Sequence, residues 1–182
     1  MNEDNDKITV SEILRGNTNS YKVIIERYQV AVYNFAYRML QDSEDAKDIT
    51  QNVFIKAYQK LSSYDDSYKF FSWLYRIAVN ETINFKKSKR QFEEIDESSQ
   101  ESVITADDRE LELEEKAEYL NIAIAHLKND YKILIVMKYF HGLSYQEIGQ
   151  VLEQPEKKVK SRLYTARQLL KNFLINKGYY ND

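Results

Sequence analysis

Apolar side chains recur along this chain at steps of three and four, the spacing of a helix buried along one face. Tyr21, Ile25, Tyr28, Val32, Phe35 and Met39 mark such a face over a long helix, and a short helix around Val10 to Arg15 is predicted before it, ending near Gly16 and Asn17. Asp42 and Ser43 can cap the next helix. Its core side is Ala46, Ile49, Val53, Ala57 and Leu61, which leaves Asp45, Asp48, Asn52, Ile55 and Lys56 facing outward. The polar stretch Ser62 to Asp66 reads as a turn. It leads into a third helix that buries Phe71, Leu74, Ile77, Ala78 and Phe85 and ends in the cations Lys86 to Arg90, at the negative pole of its dipole. From Gln91 to about Asp108, Glu, Asp and Ser displace the apolar stripe, the mark of a solvated linker. Leu113, Ala117, Leu120, Ile124 and Leu127 restore the period; Asn129 or Asp130 can cap a helix running through Tyr139, and Gly142 can end it in the left-handed conformation.

The last forty residues carry the most specific pattern. Ser144 and Glu147 have the spacing of a capping box, with Leu143 and Ile148 as a hydrophobic staple. Ile148 and Leu152 are buried on the first helix, Gly149 leaves room for close approach of a second, and Pro155 is placed to start it as its first residue. Val159, Leu163 and Ala166 continue the buried stripe. Opposite them stand Lys157, Lys158, Lys160, Ser161, Arg162 and Thr165, donors suited to phosphates and base edges on a recognition helix. From Pro155 to Lys177 there are seven Lys or Arg against one Glu, net +6. The turn carries Glu153 and Gln154, where a helix-turn-helix usually prefers Gly followed by an apolar residue, so a looser turn is expected.

These elements predict an all-α protein of two small helical domains, residues 1–92 and 111–182, joined by an acidic flexible linker over 93–110, with the helix-turn-helix in the second. Composition sharpens this. Four Gly and one Pro in 182 residues agree with a mostly helical chain. Zero Cys removes disulfides, thiolate metal sites and cysteine nucleophiles, and His126 and His141 fall on different predicted helices. No cofactor is expected, and the chain does not read as an enzyme. No apolar run reaches membrane-spanning length and MNEDNDK is no signal peptide, so a cytoplasmic protein without membrane insertion is expected. The formal charge of −3 hides three blocks. Trp73 to Arg90 carries five basic residues against one acidic, and Glu93 to Glu118 carries twelve acidic against two basic, ahead of the basic C-terminal helix.

A second nucleic-acid signal lies between residues 64 and 76. Tyr64, Tyr68, Phe70, Phe71, Trp73 and Tyr75 are interleaved with Lys69 and Arg76, and Asn80 and Asn84 follow along the helix. Phe71 and Tyr75 fall where the stripe predicts burial; Tyr64, Tyr68 and Trp73 sit where rings could stack on unpaired bases. A purely structural aromatic cluster fits the same composition. Three other functional classes remain open on these residues: a regulator that binds an operator unaided, a helical adaptor without a nucleic-acid role, and an RNA-binding module, although no RNA-fold signature is present.

The stretches DSEDAKDITQNVFIKAYQKL, FFSWLYRIAVNETINFKKSKR and LSYQEIGQVLEQPEKKVKSRLYTARQLLKNFL resemble the second and fourth conserved regions of bacterial sigma-70 family factors, in the extracytoplasmic-function (ECF) group. The resemblance implies a transcription initiation factor that binds core RNA polymerase and directs it to promoters, assisting melting. The first domain would bind polymerase and the minus-ten element, and the second the minus-thirty-five element. By this resemblance a coiled coil of the polymerase's largest subunit would meet Asp45, Asp48, Gln51, Asn52, Phe54 and Ile55. Minus-ten DNA, partly single-stranded, would meet the Ser62 to Ser67 loop with Tyr64, and Lys69, Ser72, Trp73, Arg76, Asn80, Asn84, Lys86 and Lys87. Duplex minus-thirty-five DNA would meet Lys157, Lys158, Lys160, Ser161, Arg162 and Thr165. An anti-sigma factor is a further implied partner. The alternative is a polymerase-independent helix-turn-helix regulator.

Overall fold

The computed structural model describes residues 3–93 and 111–179, so most of the expected linker, from residue 94 on, lies outside the described residues. The regular elements of the described residues are all helical: α1 (Glu3–Leu14), α2 (Tyr21–Leu40), α3 (Ser43–Gln59), α4 (Phe70–Glu93), α5 (Leu111–Ala125), α6 (Asn129–Ile135), α7 (Tyr145–Leu152) and α8 (Glu156–Asn176). Short 3-10 turns occupy Thr18–Ser20 and Leu61–Ser63, and α6 runs directly into a π-helical turn over Val136–Phe140.

The first half packs α2, α3 and α4 around one another with α1 laid against them. Tyr21, Ile24, Tyr28, Val32, Phe35 and Met39 are the buried face of α2. Ile24 takes the place expected for Ile25, because neighbours on several sides widen the stripe, and Ile25 is left half-buried at its edge. In α3 the Asp42 side chain accepts from the Glu44 and Asp45 amides, both at 2.9 Å, while Ala46, Ile49, Val53 and Ala57 go inside as the pattern requires. Helix α1 starts well before Val10. The buried Asp6 carboxylate accepts from Arg27 and Tyr28 of α2, a long-range pairing that fixes an otherwise polar segment. Burial and the Asp6 carboxylate both push the Tyr28 hydroxyl above its ordinary range.

In the second half the capping box is complete. The Glu147 amide donates to Ser144 Oγ at 3.2 Å and the Ser144 amide donates to the Glu147 carboxylate at 2.8 Å. Burial favours the neutral Glu147, but the Ser144 and Lys69 bonds outweigh it and hold the carboxyl below its ordinary value. The turn is tight, contrary to the looser one expected: Glu153 adopts the left-handed conformation that Gly would take (φ 53°, ψ 45°), and the Gln154 amide returns to the Gly149 carbonyl at 2.9 Å. A Cβ on Gly149 would lie 2.7 Å from the Gln154 carbonyl oxygen, so glycine is demanded by the turn itself. Pro155 caps α8 in an extended conformation (ψ 143°) and the helix starts one residue later than expected. Helix α6 has Lys128 at its N-cap and no side-chain cap, because the Asn129 amide oxygen accepts from Lys86 instead. Gly142 is left-handed as expected (φ 66°), and Leu120, expected inside, is exposed beside Tyr139 and Leu174.

The halves share a seam: α4 packs on α7, and α2 meets α6 and the π-helical turn. His141 enters between Phe35 and Tyr75, with Nδ1 2.7 Å from the Tyr75 hydroxyl, which also lies 3.1 Å from the Ala31 carbonyl. Tyr75 has one proton to donate. The economical arrangement gives it to the Ala31 carbonyl and lets His141 Nδ1–H donate to the phenol, so the partnerless buried Nε2 carries a lone pair rather than a stranded proton. Protonating His141 would strand that proton, and burial with the nearby Arg38 lowers its pKa to about 4. Lys132, 3% exposed, points at the C-terminal end of α2, where the Met39 carbonyl also accepts from Lys86 at 3.1 Å. Burial and Lys86 lower the Lys132 pKa to about 8.

Candidate nucleic-acid interface

Helix α4 starts at Phe70, so Phe70 and Phe71 close the core and the rest of the cluster is arranged around them. Trp73 stands half-buried against Tyr64 and Phe70, with ring centroids 5.6 and 5.4 Å away. The Tyr64 hydroxyl donates to the Tyr68 carbonyl at 2.6 Å, which ties the loop to its own end and leaves the Tyr68 ring exposed. Asn80, Asn84 and Lys87 are exposed further along the helix.

The charged and polar groups at the start of α4 face α7. Lys69 Nζ lies 3.0 Å from the Glu147 carboxylate, Ser72 Oγ 3.3 Å from the Gln150 side chain, and Arg76 reaches the Glu153 carboxylate at 2.6 Å and the Gln150 carbonyl at 2.7 Å. Nothing in the sequence pattern singled out Glu147, Gln150 and Glu153 as partners of this face. The sequence marks Glu153 only as an unusual turn residue, and the signal that could reveal its role is a carboxylate at a turn position that usually holds Gly. The cover is not airtight, since a cleft of about 800 Å³ remains between Tyr68, Trp73, Arg76 and Gln150, Glu153.

Helix α8 presents a different surface. Lys157, Lys158, Lys160, Ser161 and Thr165 are all exposed on one side, opposite the buried Val159, Leu163 and Ala166. Lys160 pairs with Glu156 one turn earlier at 2.5 Å. Arg162 alone turns inward, its side chain 21% exposed, donating to Gln154 at 2.8 Å and to the Asp130 carbonyl at 3.2 Å.

On α3, Asp48, Gln51, Asn52 and Ile55 form an exposed strip, with Ile55 47% exposed. Asp45 is paired with Lys89 of α4 at 2.7 Å. Phe54 is 6% exposed and belongs to the packed side, its carbonyl accepting from Tyr21 at 2.6 Å. Beside the strip runs an apolar groove of about 750 Å³ between α2 and α3, lined by Ile25, Val30, Tyr33, Ile55 and Tyr58. The α2 side of that groove was missed, although Val30 and Tyr33 are apolar residues off the buried stripe. Among the described residues no cluster of His, Asp or Glu could hold a metal ion, and no helix is long and apolar enough to cross a membrane.

A helix-turn-helix with a cationic second helix, joined to a helical unit with its own aromatic and cationic face, is the plan of a DNA-binding transcription factor. Residues 24–92 match the profile of Sigma-70 region 2, and residues 117–170 that of Sigma-70, region 4. The ECF RNA polymerase sigma factor SigW of Bacillus subtilis is 33% identical over 180 residues, spanning 92% of this chain and 96% of that protein. The ECF RNA polymerase sigma-E factor of Escherichia coli is 29% identical over 178 residues, with 92% and 93% covered. In fold the chain is similar to CnrH, solved in complex with the cytosolic domain of CnrY (TM-score 0.71, 23% identity, 94% of this chain and 97% of that one). The chain belongs to the sigma-70 family of RNA polymerase sigma factors, in the ECF group. It is thus a transcription initiation factor that directs RNA polymerase to promoters.

Proposed function

We propose that this sigma factor docks on core polymerase through the outward strip of α3, Asp45, Asp48, Gln51, Asn52 and Ile55, with Phe54 shaping that strip from beneath. The supporting observation is the exposed Ile55 among polar neighbours, next to the apolar groove between α2 and α3. The coiled coil of the largest subunit is the expected partner. Residues 1–92 then form the polymerase and minus-ten unit and 111–182 the minus-thirty-five unit, with 93–110 joining them.

Lys157, Lys158, Lys160, Ser161, Arg162 and Thr165 would contact the upstream duplex. Lys69, Ser72, Arg76, Asn80, Asn84, Lys86 and Lys87 would hold the downstream strand, while Tyr64 and Trp73 stack on an unpaired base. Each unit is small and binds weakly alone at physiological salt. Once polymerase fixes both, the second contact becomes intramolecular and gains from effective concentration. Melting follows from better binding of the open strand than of the duplex, and the chain itself performs no catalysis. Its place of action is the cytoplasm, and an anti-sigma factor is its expected negative regulator.

Run-off transcription with purified core polymerase tests this. Specific transcripts should require the chain, and Ile55→Glu should abolish them by preventing association with core. No measurable association of the wild-type chain with core polymerase would overturn the reading.

A further inference from the structure

A polar cleft of about 850 Å³ lies where the last turns of α4, the start of α6 and the first turns of α8 meet. Four cations line it, Lys86, Lys128, Lys158 and Arg162, against one carboxylate, Asp130. The excess is local, since the whole chain carries a formal −3. Two of the four are held in place. Lys86 donates to the Met39 carbonyl at 3.1 Å and to the Asn129 side chain at 3.0 Å, and Arg162 to the Gln154 side chain at 2.8 Å and the Asp130 carbonyl at 3.2 Å. Their positions are set before anything binds, which removes part of the ordering cost that a row of solvated lysines would impose. Lys128 and Lys158 are exposed and complete the lining. Positive charge also accumulates behind it, because the buried Lys132 shares the Met39 carbonyl with Lys86, 3.4 Å away. Asp130, its side chain 78% accessible and 3.4 Å from Arg162, offsets little of this charge. A smaller cavity of about 230 Å³ shares Asp130, Gln154 and Arg162 with the cleft. Arg76 lines that cavity, and its buried Nε donor has no hydrogen-bond partner, a group that calls for an acceptor.

We propose that this cleft binds an oligophosphate, either free or as the tail of a nucleotide. A single phosphate carries about −2 and leaves the lining cationic, whereas a chain of phosphates matches all four side chains. The recess is of ligand size, within the range of about 300–1,000 Å³ usual for small-molecule sites. A duplex backbone would span such a recess without filling it. Tyr131, half-buried in the wall with its ring centroid 6.0 Å from the Arg162 guanidinium carbon, offers a surface on which a base can stack. Lys158 and Arg162 also belong to the proposed minus-thirty-five surface, so an occupied cleft withholds two cations from the upstream duplex. That consequence rests on the DNA reading; the site itself does not.

The test is isothermal titration calorimetry on the full-length chain in magnesium-free buffer, with inorganic tripolyphosphate, ATP and AMP as probes. Tripolyphosphate and ATP should bind saturably, one molecule per chain, and AMP at least about tenfold more weakly. Lys128 stands outside the proposed DNA and polymerase surfaces, and Lys128→Gln should weaken both oligophosphates about threefold to tenfold. The control Lys177→Gln removes the same charge from an exposed site away from the cleft and should leave both near wild type. Tyr131→Leu separates the two sources: lowered affinity for ATP with tripolyphosphate spared identifies a nucleotide ligand, and unchanged affinity for both identifies the free anion. Absence of saturable binding by tripolyphosphate and ATP, or equal losses in Lys128→Gln and Lys177→Gln, overturns the site. Displacement of a fluorescein-labelled duplex is scored separately. Tripolyphosphate that binds without displacing the duplex leaves the site standing and removes Lys158 and Arg162 from the duplex surface.

Discussion

The two surfaces proposed to read DNA differ in one respect that the charge pattern does not convey. On α8, Lys157, Lys158, Ser161 and Thr165 face outward; at the start of α4, Lys69 just before the helix and Ser72 and Arg76 on it are bonded to α7 and its turn. Both faces are cationic, and both are predicted from similar sequence signals. Availability is therefore a property of what packs on a face, and charge alone does not set it. Arg162 repeats the lesson within the open surface, since it is tied back to Gln154 and Asp130 while its neighbours stand free of the core.

The contrast depends on the seam that holds α7 over α4, and the largest expected effect comes from damaging it. Phe35 is wholly buried and touches both Tyr75 and His141. Phe35→Ala should lower the free energy of unfolding by about 3–5 kcal/mol in urea titration, with both halves affected. Loss confined to the first half would break the idea of a shared seam.

Arg162→Ala sharpens the other side. Affinity for the upstream duplex, measured with holoenzyme, should fall by about 1–3 kcal/mol if the arginine leaves its ties to read a base. Unchanged duplex affinity with a lowered melting temperature would make it a brace for the turn.

Acidification probes the seam through His141. Its folded pKa of about 4 lies below the ordinary 6.5, so the unfolded chain binds more protons between those values and stability falls as pH drops below 6.5. By pH 5 the loss should be at most about 2 kcal/mol, and His141→Asn should flatten that part of the stability profile. A profile of unchanged slope in the variant would remove His141 as the cause. The smallest effect belongs to the cap of α7: Ser144→Ala should cost about 1 kcal/mol by thermal melting and loosen α7 at Lys69 more than at Arg76.

Much of the fold was legible in the sequence because it rests on local rules. The Asp42 and Ser144 caps, the left-handed Gly142 and the buried stripes of α3 and α8 are where short-range spacing placed them. The departures arise where distant groups decide. Asp6, bound by Arg27 and Tyr28, extends α1 toward the N-terminus, and Asn129 gives up a capping role to Lys86. At the candidate sites, the α3 strip and α8 cations were legible as outward faces. The α2 wall of the apolar groove and the α7 partners of α4 were not, because each depends on a contact between helices far apart in sequence.

The order of residues by itself determined that this chain would be helical, where most helices would begin and end, and which two faces would carry positive charge. These follow from backbone geometry, side-chain period and capping, which act over a few residues. Only the tertiary structure decided which face is covered and which lies open, that the Glu153 side chain would be taken up by Arg76, and that His141 would stay neutral in the seam. Each of those needs surfaces brought together across 60 residues or more, where packing and desolvation outweigh local preference.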